Sequence, residues 1–252
     1  MPLRVDEGLT LRTIPLRDAD LIVSVFTREH GKVRGVARGA RRLKNRFGAA
    51  LEPMSRARFI YFEREGKELV TLDEADLVAS PHGRGGSLEA AWTLQYLAEV
   101  TDQVAIEGDA QPLLYRLLVA VTDSLTQGAD PAVAARYFEL WLLKLQGVMP
   151  ELSRCALCGR SLEGGGAVLG EEQAACGACA VREGVRGEPS LGRAALAFLR
   201  DAERRHLQEF QAAPPDAAAV REAGGALRRL LVNYLGREPR ALSFLEKLEV
   251  LP

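Results

Sequence analysis

Four cysteines constrain this chain more than any other feature. Cys155, Cys158, Cys176 and Cys179 read as C-x2-C, a gap of seventeen residues, then C-x2-C, and they are the only cysteines among 252 residues. A two-residue gap lets both thiolates of a pair turn inward on one knuckle, and two knuckles together make the tetrahedral sulfur cage that Zn²⁺ prefers. Glycine follows at Gly159 and Gly177, where tight backbone would let amide donors reach sulfur. Two disulfides would need an oxidising compartment, and nothing at the N-terminus resembles a secretion signal. A redox C-x-x-C does not normally come as a matched pair. An iron–sulfur cluster uses the same ligands. The spacing therefore predicts one structural Zn²⁺ per chain, with no open position for water or substrate.

The first eighty residues read as short strands and turns. Leu9, Leu11, Ile14 and Leu16 form an extended apolar run whose phase slips once, as at a bulge. Leu21 to Thr27, Lys32 to Arg38, Arg56 to Phe62 and Leu69 to Leu72 give four more strands. Five short strands in this length predict a small barrel of the oligonucleotide-binding type. After Pro81 and a glycine-rich linker the period becomes helical. Ser87 caps one helix, Gln111-Pro112 opens a second, and Asp130 with Pro131 opens a third. Beyond the cysteines, Ser190 is expected to cap a helix to about Gln211, Asp216 a further one, and Leu242 to Leu248 a last short one. Tyr137 and Trp141 fall on an apolar helical stripe and are expected to be core. The fold class is α+β. The expected domains are a barrel over 1–80 and a helical domain over 81–252, with the zinc knuckle at 151–185 inserted in it.

Charge is uneven. The chain as a whole carries a formal net charge of −1, yet residues 28–46 hold eight basic residues and one acid, Glu29. Within Lys32 to Arg38, Lys32, Arg34 and Arg38 share one parity, so a strand would stand all three on one face. Arg41, Arg42, Lys44 and Arg46 continue the series in the following loop, and Arg56 and Arg58 share a parity on the next strand. Several cations along a strand and loop can neutralise regularly spaced phosphates and release their counterions. We therefore expect Lys32, Arg34, Arg38, Arg41, Arg42, Lys44, Arg46, Arg56 and Arg58 to contact a nucleic-acid backbone, read as DNA under the resemblance given below. Phe47, at the loop tip, is placed either to stack on a base or to plug the barrel mouth.

Signals for catalysis are absent. The histidines are scattered, and the glycine-rich stretches at 83–86 and 164–166 lack the Gly-Lys-Ser/Thr of a phosphate loop. No enzyme is expected. No stretch is apolar enough to cross a bilayer, and no amphipathic helix accompanies the basic patch, so a cytoplasmic protein without a membrane partner is expected. A zinc-stapled protein-interaction adaptor and an RNA-binding factor are the alternative readings.

Residues 18–31, with Thr27-Arg28-Glu29-His30-Gly31 at their end, then Arg38-Gly39-Ala40-Arg41-Arg42-Leu43-Lys44-Asn45-Arg46-Phe47 and Leu51-Glu52-Pro53, carry a further reading. This stretch resembles the RecO recombination mediators of bacterial DNA repair, with their Thr-Arg-Glu-x-Gly turn and Gly-Ala-Arg loop. The resemblance is specific over 8–75, fits the layout of 81–150 and includes the cysteine knuckle; over 190–252 it is architectural. Asn45 stands where the family more often has serine, and Met54 where it usually has an aromatic. The resemblance implies binding of single- and double-stranded DNA, strand annealing without ATP hydrolysis, and association with the nucleoid. It also implies partnership with RecR, contact with the single-strand-binding protein, and help in loading RecA.

Overall fold

The computed structural model describes residues 3–63, 66, 68–83, 86–170, 173–184 and 190–242. The chain forms two compact units, one built on Met1–Thr126 and the other on Gln127–Glu238.

The first unit starts with five strands: β1 (Leu3–Pro15), β2 (Leu21–Thr27), β3 (Gly31–Ala37), β4 (Arg56–Phe62) and β5 (Val70–Ala79). They close in the order β1-β2-β3-β5-β4. β1 serves two neighbours because its register shifts between Thr10 and Arg12, at the phase slip visible in the sequence. Its first half pairs with β4 and its second with β2. A bulge bends a strand sharply enough to turn such a corner. Closure comes from a short parallel contact, Gly35 to Ala37 against Val70 to Leu72. A Cβ on Gly35 would stand 2.7 Å from Val70 and 2.8 Å from Leu72, so only glycine lets these strands meet. Val23, Val25, Ala37, Phe59, Tyr61 and Leu72 fill the interior. A 3₁₀ turn, Gly48–Leu51, seals one end, tied down where the Thr10 hydroxyl donates to the Ala50 carbonyl at 2.7 Å.

Two helices complete this unit, α1 (Leu88–Val104) and α2 (Pro112–Thr126). Ser87 accepts the Ala90 amide at 3.1 Å as N-cap of α1, whose buried face includes Leu94, Leu97, Ala98 and Thr101. The pair covers one outer wall of the barrel. Ser24 donates to Asp102 at 2.7 Å, Tyr115 donates to Glu7 at 3.0 Å, and the Tyr115 ring lies 6.3 Å from Phe26. Burial and the bond to Glu7 push the Tyr115 phenol up from its ordinary range.

The second unit opens with α3 (Pro131–Leu145), capped by Asp130, which accepts the Val133 amide at 2.9 Å. Around the cysteines lie β6 (Ala167–Leu169), β7 (Ala174–Ala175), α4 (Gly177–Arg182) and β8 (Ser190–Leu191), the strands ordered β7-β6-β8. Then come α5 (Arg193–Ala202), α6 (Glu209–Ala212) and α7 (Ala217–Leu235). α3, α5 and α7 pack on one another. Ser190 is not a helix cap: it pairs with Val168, and Gly192 caps α5 instead. The helix expected over Leu242 to Leu248 lies outside the described residues except at Leu242. Tyr137 and Trp141 are half-buried, and the Trp141 indole donates to the Ala202 carbonyl at 3.1 Å, so both serve packing. Among the described residues no helix is long and apolar enough to cross a membrane.

A candidate nucleic-acid interface and a candidate metal centre

The alternation in β3 sets the interface. Val33 and Ala37 turn into the barrel, which leaves Lys32 and Arg34 on its outer wall. The chain then leaves the sheet as a braced loop over residues 38–47. The Gly39 amide donates to Asp20 at 2.8 Å, the Arg41 amide to the Ala19 carbonyl at 3.1 Å, and the Arg42 amide to the Gly39 carbonyl at 3.0 Å. Asn45 clamps the far side. Its amide group donates to the Arg42 carbonyl at 3.0 Å, and its oxygen accepts the Phe47 and Gly48 amides at 2.9 and 2.8 Å. Phe47 is buried in the barrel mouth, which decides between its two readings: it plugs and does not stack.

The nine expected DNA contacts divide sharply. Lys32 donates to the Asp102 carbonyl at 2.7 Å, with the Asp102 carboxylate 4.0 Å away. Arg34 pairs with Glu107 at 2.7 Å, and Arg46 with Asp73 at 2.9 Å. Arg56 sits between Glu7 and Asp123, at 3.8 and 3.6 Å. Those four cations are already neutralised by carboxylates of their own unit. Arg38, Arg41, Arg42 and Lys44 are exposed, and among the described residues no carboxylate lies within 4.0 Å of their charged groups. Arg41 does reach the Asp18 carbonyl, at 3.3 Å. Arg58 is likewise exposed and without an ion pair among the described residues, but its neighbours across the sheet are Glu7 and Asp76. The structure thus gathers four open cations on one loop and sets Arg58 apart from them.

Two residues of this surface carry no periodic signal in the sequence. Arg17 is exposed in the β1–β2 turn to which the loop is hydrogen-bonded. Its proximity to the basic loop could be inferred only from the hairpin geometry. Leu43, amid the cations, extends wholly into solvent.

The cysteines converge in the second unit. The first pair sits on a tight turn: the Cys155 amide donates to the Arg160 carbonyl at 2.8 Å and the Gly159 amide to the Cys155 carbonyl at 2.9 Å. Gly159 has φ +71°, a left-handed conformation that its side-chain-free backbone permits. Gly177 behaves otherwise and simply opens α4, with Cys176 as N-cap and Cys179 in the first turn. The Ala156 amide donates to the Ala174 carbonyl at 2.9 Å and joins the two halves.

All four Sγ atoms lie within 4.8 Å of one another, Cys158 and Cys176 being 3.9 Å apart. A tetrahedron with metal–sulfur bonds of about 2.3 Å has edges of about 3.8 Å, so the cage fits a single ion. All four cysteines are free. The Cys176 amide, 3.3 Å from its sulfur, helps hold the Cys155 thiol down at about 6. The Cys179 amide draws the Cys176 thiol down too. Cys179, hydrogen-bonded to Cys158 and buried, is pushed up to about 12. Four crowded sulfurs cannot all ionise without a cation among them, and a bound cation reverses that balance.

Comparison with known proteins identifies the family. A family model described as "Recombination protein O N terminal" matches residues 1–81, and one described as "Recombination protein O C terminal" matches 86–243. The chain is similar to the DNA repair protein RecO of Anaeromyxobacter sp. (strain K), 35% identical over 96% of this chain and 95% of that one. It is 34% identical to the RecO of Geobacter metallireducens over 96% of this chain and 97% of that one. A 161-residue alignment with the RecO of Koribacter versatilis is 40% identical and covers 64% of this chain and 66% of that one.

Proposed function

This chain belongs to the RecO family of DNA repair proteins, and from that premise we propose that it binds DNA through the loop of residues 38–47 and mediates recombinational repair. The observation that carries the reading is the open tetrad Arg38, Arg41, Arg42 and Lys44 on a braced loop at the end of the barrel. Phosphates attract such a cluster because each contact releases condensed counterions. No base-specific geometry is required, which suits a protein that takes single- and double-stranded DNA alike. Arg17 extends the surface, Arg58 lies apart from it between Glu7 and Asp76, and Lys32, Arg34, Arg46 and Arg56 support the fold rather than the DNA.

Annealing follows from the same physics. A cationic surface that holds two phosphate backbones lowers their mutual repulsion, and base pairing supplies the drive. No catalytic group and no ATP are needed. In this reading the protein works in the cytoplasm at the nucleoid with RecR and the single-strand-binding protein, and assists RecA loading.

The cage of Cys155, Cys158, Cys176 and Cys179 holds one Zn²⁺. A four-thiolate donor set suits zinc and leaves it no position for substrate, so the ion would fasten the knuckle. Replacing the four loop cations by alanine and following oligonucleotide retardation in a gel tests the proposal. Loss of the shift is expected, and an unchanged shift would contradict it.

A further inference from the structure

Leu43 is the most exposed of the large apolar side chains among the described residues, at 105% of its reference area against 82% for the next, Val181. It touches nothing, so it contributes nothing to the fold. Yet the backbone that carries it is held on both sides, by the Arg42-to-Gly39 bond before it and the Asn45-to-Arg42 bond after it. After Lys44, Asn45 and Arg46 the chain enters the buried Phe47 anchor. Arg41, Arg42 and Lys44 flank it in sequence, all exposed. An apolar tip on a fixed turn, set among cations that draw in phosphates, has the form of the side chains that enter base steps and part them. Leucine has no π-face to offer as a stacking platform. It can act only by replacing base–base contact with its own buried surface.

We propose that Leu43 is a wedge that enters a base step of bound DNA while Arg41, Arg42 and Lys44 hold the flanking phosphates. Unstacking is least costly at a strand end or a junction of single and double strand, and the wedge favours those places. The inference rests on the DNA-binding reading above. A cationic loop with an apolar tip could also meet a membrane of anionic lipid, but one leucine without an amphipathic helix offers that surface little.

The test uses the full-length protein and a junction oligonucleotide with 2-aminopurine at the terminal pair. Binding of the unaltered protein raises the fluorescence as the probe base unstacks. Leu43→Ser abolishes that rise and weakens binding by about tenfold, the scale of losing the buried surface of one leucine, with the salt dependence unchanged. Leu43→Met keeps both signals. Thermal unfolding stays the same in all three, since the side chain packs on nothing. A Leu43→Ser protein that still raises the fluorescence and binds as tightly overturns the wedge alone. No binding by the unaltered protein, or binding that survives loss of the four cations, overturns the DNA reading and the wedge with it. Weakened binding to phosphatidylglycerol-containing vesicles with unchanged oligonucleotide signals assigns Leu43 to lipid and contradicts the proposal.

Discussion

The guanidinium of Arg46 lies 5.5 Å from the ring centroid of Phe47 and reaches Asp73 at 2.9 Å, while the ring itself is buried in the barrel mouth. Two adjacent loop residues are thereby committed to the barrel, not to a ligand. Phe47→Ala should cost about 3–5 kcal/mol of stability, as deletion of a buried aromatic does, read as a lower midpoint in urea. Arg46→Ala should leave oligonucleotide affinity nearly unchanged. A tenfold loss of affinity in Arg46→Ala, with stability intact, would restore it to the interface.

The same division predicts opposite behaviour for cations that look alike in sequence. Arg34→Ala and Arg56→Ala remove charges already paired with Glu107 and with Glu7 and Asp123, so DNA affinity should change less than twofold or so. Arg41→Ala and Arg42→Ala should each weaken single-strand binding about fivefold near 0.1 M salt, from a counterion-release exponent of about 0.7 per contact. Fluorescence anisotropy on one labelled oligonucleotide compares all four variants.

Why the sequence did not separate these cations is clear from their partners. Lys32 and Arg34 do share an outward face, as their spacing implies. Their neutralising groups, Asp102 and Glu107, lie about seventy residues downstream and arrive only when α1 packs on the barrel. Local features were more readable. The bulge after Thr10 appears as a phase slip, β2 and β4 as short strand-like runs, and the starts of α1, α3 and α7 as Ser87, Asp130-Pro131 and Asp216. β5 runs on to Ala79, well past the expected Leu72, a length not legible because this part is largely exposed and acidic and pairs with β4 without any hydrophobic pattern. The Ser190 cap failed for a similar reason: its strand pairs with β6, more than twenty residues earlier. The cysteine cage needed no tertiary knowledge, since ligand spacing alone specifies it.

At the metal centre, protein purified under reducing conditions should carry about one zinc per chain by elemental analysis. Cys155→Ser or Cys179→Ser should release it and make the knuckle sensitive to proteolysis, while the barrel unit keeps its stability. A cysteine variant with full metal content would contradict the four-sulfur assignment. Oligonucleotide binding by the loop should survive metal removal, because no loop cation lies in that unit.

In α3, Arg136 and Glu139 form an ion pair at 3.0 Å, with 1% and 0% of their side chains exposed. Glu139→Ala would leave a guanidinium buried without that partner and should cost about 3–5 kcal/mol. Replacing both residues by apolar ones of similar size should be far milder. Urea unfolding of the two variants decides it, and equal losses would contradict the coupling.

The most direct test is the salt dependence of single-strand binding, measured for the unaltered protein and for a variant with alanine at Arg38, Arg41, Arg42 and Lys44. Four lost phosphate contacts predict a slope of log K against log salt that is shallower by about 3, with much weaker binding near 0.1 M salt. Slopes and affinities that coincide within error would show that the loop does not hold the DNA.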